Sequence, residues 1–299
     1  MPTINPMGGR AQAWFQPAST VLLFMLAGSA RLHAGAPSSG PFAAMAWRPL
    51  FEGVDHAEVV LSDPRPLRAQ VLRVNLSVPG VSLQATPDNG SLPGETSSQR
   101  TTTFLKTMGC QAAVNAGPFD VVSSTEGKPI NVSGLQVAGG KLVSPDNGYP
   151  ALIVTGGGKA RIQRAPFPDK DIREAVSGFQ VILWNHQVTA TDRKLHPRTA
   201  AGVAADGRTV WLLVVDGRQA GTSEGCTTVE MAAWFQQMGA VSALNLDGGG
   251  TSTMVVSGEK GIPVILNRPI HAGIPGMERP AGSHLGIRAL PLKPGTQGP

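Results

Sequence analysis

The 299-residue sequence predicts an α+β fold: mixed, mostly antiparallel β-sheets with a few packed helices, in a single domain after an N-terminal signal segment. Three observations predict it. Glycine and proline are abundant (37 and 25 residues) and aromatic residues scarce (5%), a composition of many turns rather than of a helix bundle. Short apolar runs with period-two alternation recur between turn signals along most of the chain. Two segments carry the apolar spacing and stop signals of helices. With 41% hydrophobic residues, a chain of this length buries a substantial core.

The elements follow in order. Arg10 precedes the apolar run Val21 to Ala30 and the small residues Ala34-Gly35-Ala36, the pattern of a signal peptide over residues 1–36. The run is about half of the ~20 residues a bilayer span needs, so no stable membrane span is expected after cleavage. The expected location is therefore periplasmic or secreted. Residues 37–56 read as a flexible leader, 57–290 as the folded domain and 291–299 as a disordered tail.

Within the domain, EVVL, RAQVLRVNLSV and VSLQA from Glu58 to Ala85 form a meander punctuated by Asp-Pro, Pro-Gly and Asn-Gly turns. A helix then carries Phe104, Leu105 and Met108 and stops at Gly109, before a buried strand ending at Asn115. Gly139-Gly140 and Gly156 to Gly158 are hairpin turns. FQVILWN is a further strand, and Asp206-Gly207 joins the last strand pair before the second helix. In that helix Thr227 and Glu230 stand in capping-box positions, Met231, Trp234, Phe235 and Met238 share one face, and Gly239 ends it. The two helices head a short internal repeat: Met108, Gly109, Ala113, Val114 and Asn115 align with Met238, Gly239, Ala243, Leu244 and Asn245. Two helix–strand units would thus deliver Asn115 and Asn245 to equivalent strand ends, where open sheets place ligands.

Charge and motifs narrow the chemistry. The net charge of +5 arises from scattered basic residues, without the Lys/Arg runs that track nucleic-acid phosphates, so no nucleic-acid partner is expected. There is no phosphate-binding P-loop, no Gly-x-Ser-x-Gly elbow and no His-Glu-x-x-His, and the scattered histidines disfavour a zinc site. Neither a metal nor another cofactor is expected. Cys110 and Cys226 fit either a disulfide of an oxidising compartment or two buried thiols.

Four polar clusters sit at strand ends: Asn115 with Phe119 and Asp120, Arg198-Thr199, Asp216-Gly217-Arg218, and Asn245 through Ser252. Each has a plain reading as a turn, and a capping-box Glu230 explains itself without chemistry. Together, arginines, hydroxyls and the amides of Gly248, Gly249 and Gly250 suit a phosphate or carboxylate ligand. Two acids among Asp216, Glu230 and Asp247 would supply general acid and nucleophile or base.

The run from Pro197 to Val256, with its Arg-Thr, Asp-Gly-Arg and Asn-Leu-Asp-Gly-Gly-Gly elements, resembles the core of the phosphodiester glycosidase family. The likeness extends to AVNAGPF upstream and ERPAGSHLGI downstream. It implies a hydrolase cleaving the glycosidic bond of a sugar-1-phosphodiester or a related envelope glycan. By position it implies a site lined by Asn115, Arg198, Thr199, Asp216, Arg218, Glu230, Asn245, Asp247, Gly248, Gly249 and Ser252. Ala116, Pro118, Cys226 and Gly282-Ser283-His284 depart from the family pattern, which bears on sugar specificity more than on reaction class. Two other readings stay open: a non-catalytic glycan- or phosphate-binding protein on the same fold, and a metal-dependent phosphodiesterase that EDTA would inhibit.

Overall fold

The computed structural model describes residues 40–168 and 170–293. The predicted signal segment 1–36, the leader's residues 37–39 and the tail's residues 294–299 lie outside them. An eight-stranded sheet holds, in spatial order, Arg48–Phe51, Val54–Leu61, Leu67–Asn75, Thr209–Val215, Arg198–Val203, Ser242–Asn245, Gln180–Trp184 and Gln187–Val188. A five-stranded sheet holds Pro263–Ile265, Met254–Ser257, Ala112–Asn115, His284–Arg288 and Ser82–Ala85. The third, also five-stranded, holds Ala160–Gln163, Ala151–Thr155, Ile172–Ser177, Gln136–Ala138 and Lys141–Ser144. Neighbours pair antiparallel throughout, as in Thr209–Val215 against Leu67–Asn75.

The first two sheets face each other across an inner core of Leu72, Leu212, Val214 and Leu244 from one and Val114, Met254, Leu285 and Ile287 from the other. Leu152, Val154, Ile162 and Val176 of the third sheet close it. Strands buried on both faces explain the unbroken apolar run of Thr209–Val215, where every residue after Thr209 is buried. A helix covers each outer face: α2 (Thr228–Met238) packs Met231, Trp234 and Phe235 on the large sheet, and α1 (Thr101–Met108) packs Phe104 and Leu105 on the smaller.

The internal repeat is visible in the backbone. Each helix ends at a left-handed glycine, Gly109 with φ 62° and Gly239 with φ 91°, a conformation that a side chain would strain. In each the next residue's N–H returns to a helix carbonyl, Cys110 to Leu105 and Ala240 to Phe235, before a four-residue strand ends in asparagine. The capping box of α2 forms as predicted, with Thr227 and Glu230 exchanging side-chain and backbone bonds.

One expectation is corrected. Residues 40–56 of the leader are structured: Arg48–Phe51 pairs with Val54–Leu61 around Gly53, and Phe42 stacks on Trp234 at 4.6 Å, filling the outer face of α2. Its apolar residues are too few to show a period, but they complete a helix face that would otherwise meet water. Of the two readings open for the cysteines, the structure has the buried thiols: Cys110 and Cys226 are both free, on different layers of the fold. Burial pushes both thiols up, Cys110 to about 11.

Candidate active site

The strand Ser242–Asn245 runs on through Leu246, which is buried in the inner core, to Asp247 at the rim where the two facing sheets meet. A cross-sheet bond, from the Asp247 N–H to the Ala116 carbonyl at 2.8 Å, fixes the chain there. Gly248 and Gly249 then turn it into a short 3-10 helix, Gly249–Thr251. Both glycines are required: a Cβ on Gly248 would come within 2.9 Å of the Pro197 carbonyl oxygen, and Gly249 has φ +67°.

Asn115 binds this turn to both sheets. Its carboxamide accepts from Thr199 Oγ1 at 2.7 Å and from the Thr253 N–H at 3.2 Å, and donates to the Asp247 carbonyl at 2.7 Å and Thr251 Oγ1 at 3.2 Å. It is completely buried, and every bond is to protein. Asn115 and Thr199 therefore shape the site from beneath.

The Asp247 carboxylate sits above them with 14% of its side chain exposed. Its Oδ2 accepts from Thr251 Oγ1 at 2.7 Å and from the Arg279 guanidinium at 3.4 Å. Burial pushes this carboxyl above the usual aspartate range, opposed chiefly by Arg279. It opens on a cavity of about 190 Å³ bordered also by Phe179, His196, Arg198, Arg218, Asn245 and Arg279. Arg218 is exposed, with its guanidinium 3.4 Å from His196 Nδ1. Burial first, then the Arg198 and Arg218 charges, hold the His196 imidazole below its ordinary value, so it is neutral at pH 7.

The remaining predicted residues are placed differently. Arg198 borders the cavity, but its guanidinium is engaged by Asp192 Oδ2 at 2.7 Å and the carbonyls of Lys194 and Cys226. The amides of the triple glycine are not a bare row, since the Gly249 N–H donates to the Pro197 carbonyl and that of Gly248 to Asp247 itself. Gly250 is buried against His271 and Arg279. Ser252 is buried with its Oγ unpartnered and does not border the cavity.

Asp216 and Glu230 do not border it either. Asp216 faces a separate cavity of about 290 Å³ with Arg68, Gln70 and Arg268. Its carboxylate accepts from Asn267 Nδ2 and the Arg268 N–H, and burial pushes it up to about 6. Glu230 accepts from Arg65 with both oxygens at 2.7 Å and completes the α2 cap. A second carboxylate facing Asp247 is thus not provided by either. His196, Arg279 and Phe179 were missed by sequence reasoning; of these only Arg279 carried a signal, in the Glu-Arg-Pro of the closing segment. Among the described residues no cluster of three or more His, Cys, Asp or Glu side chains could hold a metal ion.

Comparison with known proteins agrees with this architecture. A 64-residue stretch is 42% identical to the SPbeta prophage-derived uncharacterized protein YomE of Bacillus subtilis (strain 168), covering 21% of this chain and 10% of that protein. The chain thus matches about a tenth of the length of that relative. Among solved structures, the catalytic domain of zebrafish N-acetylglucosamine-1-phosphodiester alpha-N-acetylglucosaminidase, auto-inhibited by its pro-peptide, superimposes with TM-score 0.60 at 19% identity, over 82% of this chain and 86% of that one. A hypothetical protein from Synechocystis gives TM-score 0.57 at 14% identity, over 80% and 62%. At such identities these two share the fold. The model of the phosphodiester glycosidase family matches residues 108–288, which contain the Asp247 turn, its Asn115 support and every cavity-lining side chain, and the chain belongs to that family.

Proposed function

We propose that this chain is an exported hydrolase that cleaves the glycosidic bond of a sugar-1-phosphodiester or of a related envelope glycan. One observation carries the reading: a single buried carboxylate, Asp247, shares a small cavity with Arg218, Arg279, Arg198 and a neutral His196. Cations around a carboxylate suit a substrate with an anionic leaving group beside an anomeric carbon that becomes positive in the transition state. A phosphodiester departs as a stable phosphate monoester and needs little protonation, so one carboxylate suffices at the sugar.

In this mechanism Arg218, exposed at the rim, takes the phosphate, and Arg279 steadies Asp247. Asp247 stabilises the oxocarbenium-like carbon or attacks it, and water completes the substitution. Neutral His196 takes the water's proton. The bond from anomeric carbon to phosphate oxygen breaks with its electron pair leaving on the phosphate. The signal-peptide pattern of the sequence over residues 1–36 supports an exported location.

The test is hydrolysis of a panel of sugar-1-phosphodiesters in oxygen-18 water. Label is expected in the released sugar; label in the phosphate would mean P–O cleavage and refute the reading. Asp247→Asn is expected to lower kcat by at least about a hundred-fold, with KM for the same diester little changed. Full turnover by that variant would remove Asp247 from the mechanism.

A further inference from the structure

Two neighbouring side chains of the cavity have no structural employment. Asn245 occupies the position in its repeat unit that Asn115 occupies in the other, and it is 5% exposed. Asn115 spends its whole carboxamide on protein partners. Among the described residues the Asn245 carboxamide has none, and its Oδ1 is buried. A buried amide left unpaired is costly unless a ligand pairs it. Residues two apart on an extended chain face the same way, so Asn245 and Asp247 address one ligand while Leu246 points into the core.

Phe179 is the second. The residue is 45% exposed, the only aromatic carbocycle at the border of a cavity whose charged lining is Arg198, Arg218, Asp247 and Arg279. Its position is nonetheless fixed. The Phe179 N–H donates to the Asn245 carbonyl at 2.9 Å, and the Gly178 N–H donates to the Pro150 carbonyl at 2.9 Å. Gly178 itself has no room for a Cβ, which would lie 2.5 Å from the Asn245 carbonyl oxygen. Tyr149, the one tyrosine of the sequence, braces the ring edge-on at 6.0 Å between centroids. An exposed aromatic held this firmly gains nothing for the core. It offers a flat, electron-rich face, and the C–H groups along one face of a pyranose ring carry the complementary partial charge.

We infer that Phe179 and Asn245 form the subsite for the pyranose ring that bears the scissile bond, the phenyl as its platform and the carboxamide as the partner of a ring hydroxyl or acetamido group. The assignment rests on the reading of the cavity as a sugar-phosphodiester site. It orients the substrate: sugar on Phe179 and Asn245, anomeric carbon toward Asp247, phosphate toward Arg218. It also makes Asn245 the side chain that distinguishes sugars by the substituent next to the reacting carbon.

The purified protein is titrated by calorimetry with free hexopyranoses and N-acetylhexosamines, and separately with inorganic phosphate. At least one sugar is expected to bind. Phe179→Ala should weaken that sugar about ten-fold, the loss of roughly one ring face of apolar contact, with phosphate affinity within about two-fold. Phe179→Trp should restore sugar binding, and Asn245→Ala should flatten the preference among sugars. Sugar affinities unchanged in Phe179→Ala and Asn245→Ala would overturn the inference. So would a wild-type protein that binds phosphate and none of the sugars. Phe179-dependent sugar binding without hydrolysis of any diester would leave the subsite standing and sink the glycosidase reading instead.

Discussion

The paired asparagines make a contrast that stability measurements resolve. In Asn115→Ala the Thr199 hydroxyl, the Thr253 N–H and the Asp247 carbonyl lose their side-chain partner inside a fully buried position, and Thr251 Oγ1 loses one of its several bonds. At about 1 kcal/mol of net worth per bond, with the unpaired groups desolvated, the loss is about 4 kcal/mol. For a domain of this size that corresponds to a Tm lower by roughly 8–16 °C. Asn245→Ala removes a carboxamide with no protein partner, so its cost is under about 1 kcal/mol. Urea unfolding followed by fluorescence, with m-values checked for equality, gives both numbers. Equal destabilisation by the two variants, or a loss below about 1 kcal/mol for Asn115→Ala, would refute the account of Asn115 as the joint between the sheets.

Two further outcomes follow from buried titratable groups. His284 is completely buried, stacked on Phe104 at 4.8 Å, and burial holds its imidazole down to about 3. The unfolded chain therefore binds a proton that the folded chain refuses between about pH 6.5 and 3, so stability falls as pH drops through that window, by at most about 5 kcal/mol. The difference in unfolding free energy between wild type and His284→Gln, measured across it, should shrink by that trend; a pH-independent difference would show that His284 is solvated. Cys110 and Cys226 should resist a thiol reagent in the native protein and both react in denaturant; rapid native labelling, or two thiols missing after unfolding, would contradict their placement.

What the sequence reveals depends on how far apart the partners lie. The α2 cap, the left-handed glycines and the Gly156 to Gly158 hairpin are legible because each is set by residues a few positions apart. The Asp247 turn, Asn245 and Arg218 were readable as strand-end groups on the same logic. Asp216 reads as a strand-end acid and Glu230 as an acid that its capping box already explains, but both have partners 51 and 165 residues away, in Asn267 and Arg65, and those pairings hold them outside the cavity. Arg279 and His196 reach Asp247's cavity through loop paths that no period encodes. Ile172–Ser177 carries the buried Glu174, whose carboxylate accepts the backbone N–H groups of Ala85 and Gly139, so a polar residue interrupts a core strand for a reason visible only in three dimensions.

The lengths of the outermost strands have a consequence for a chain so rich in sheet. In the three larger sheets the borders are Arg48–Phe51, Gln187–Val188, Pro263–Ile265, Ser82–Ala85, Ala160–Gln163 and Lys141–Ser144, none longer than four residues. The nine-residue strand Leu67–Asn75 lies between two neighbours. Short borders, one of them opened by Pro263, present few free backbone donors and acceptors in a row, so another extended chain finds little to zip onto. The apolar strands that build the site are thereby kept from templating aggregation, a hazard that a concentrated polypeptide of this composition would otherwise carry.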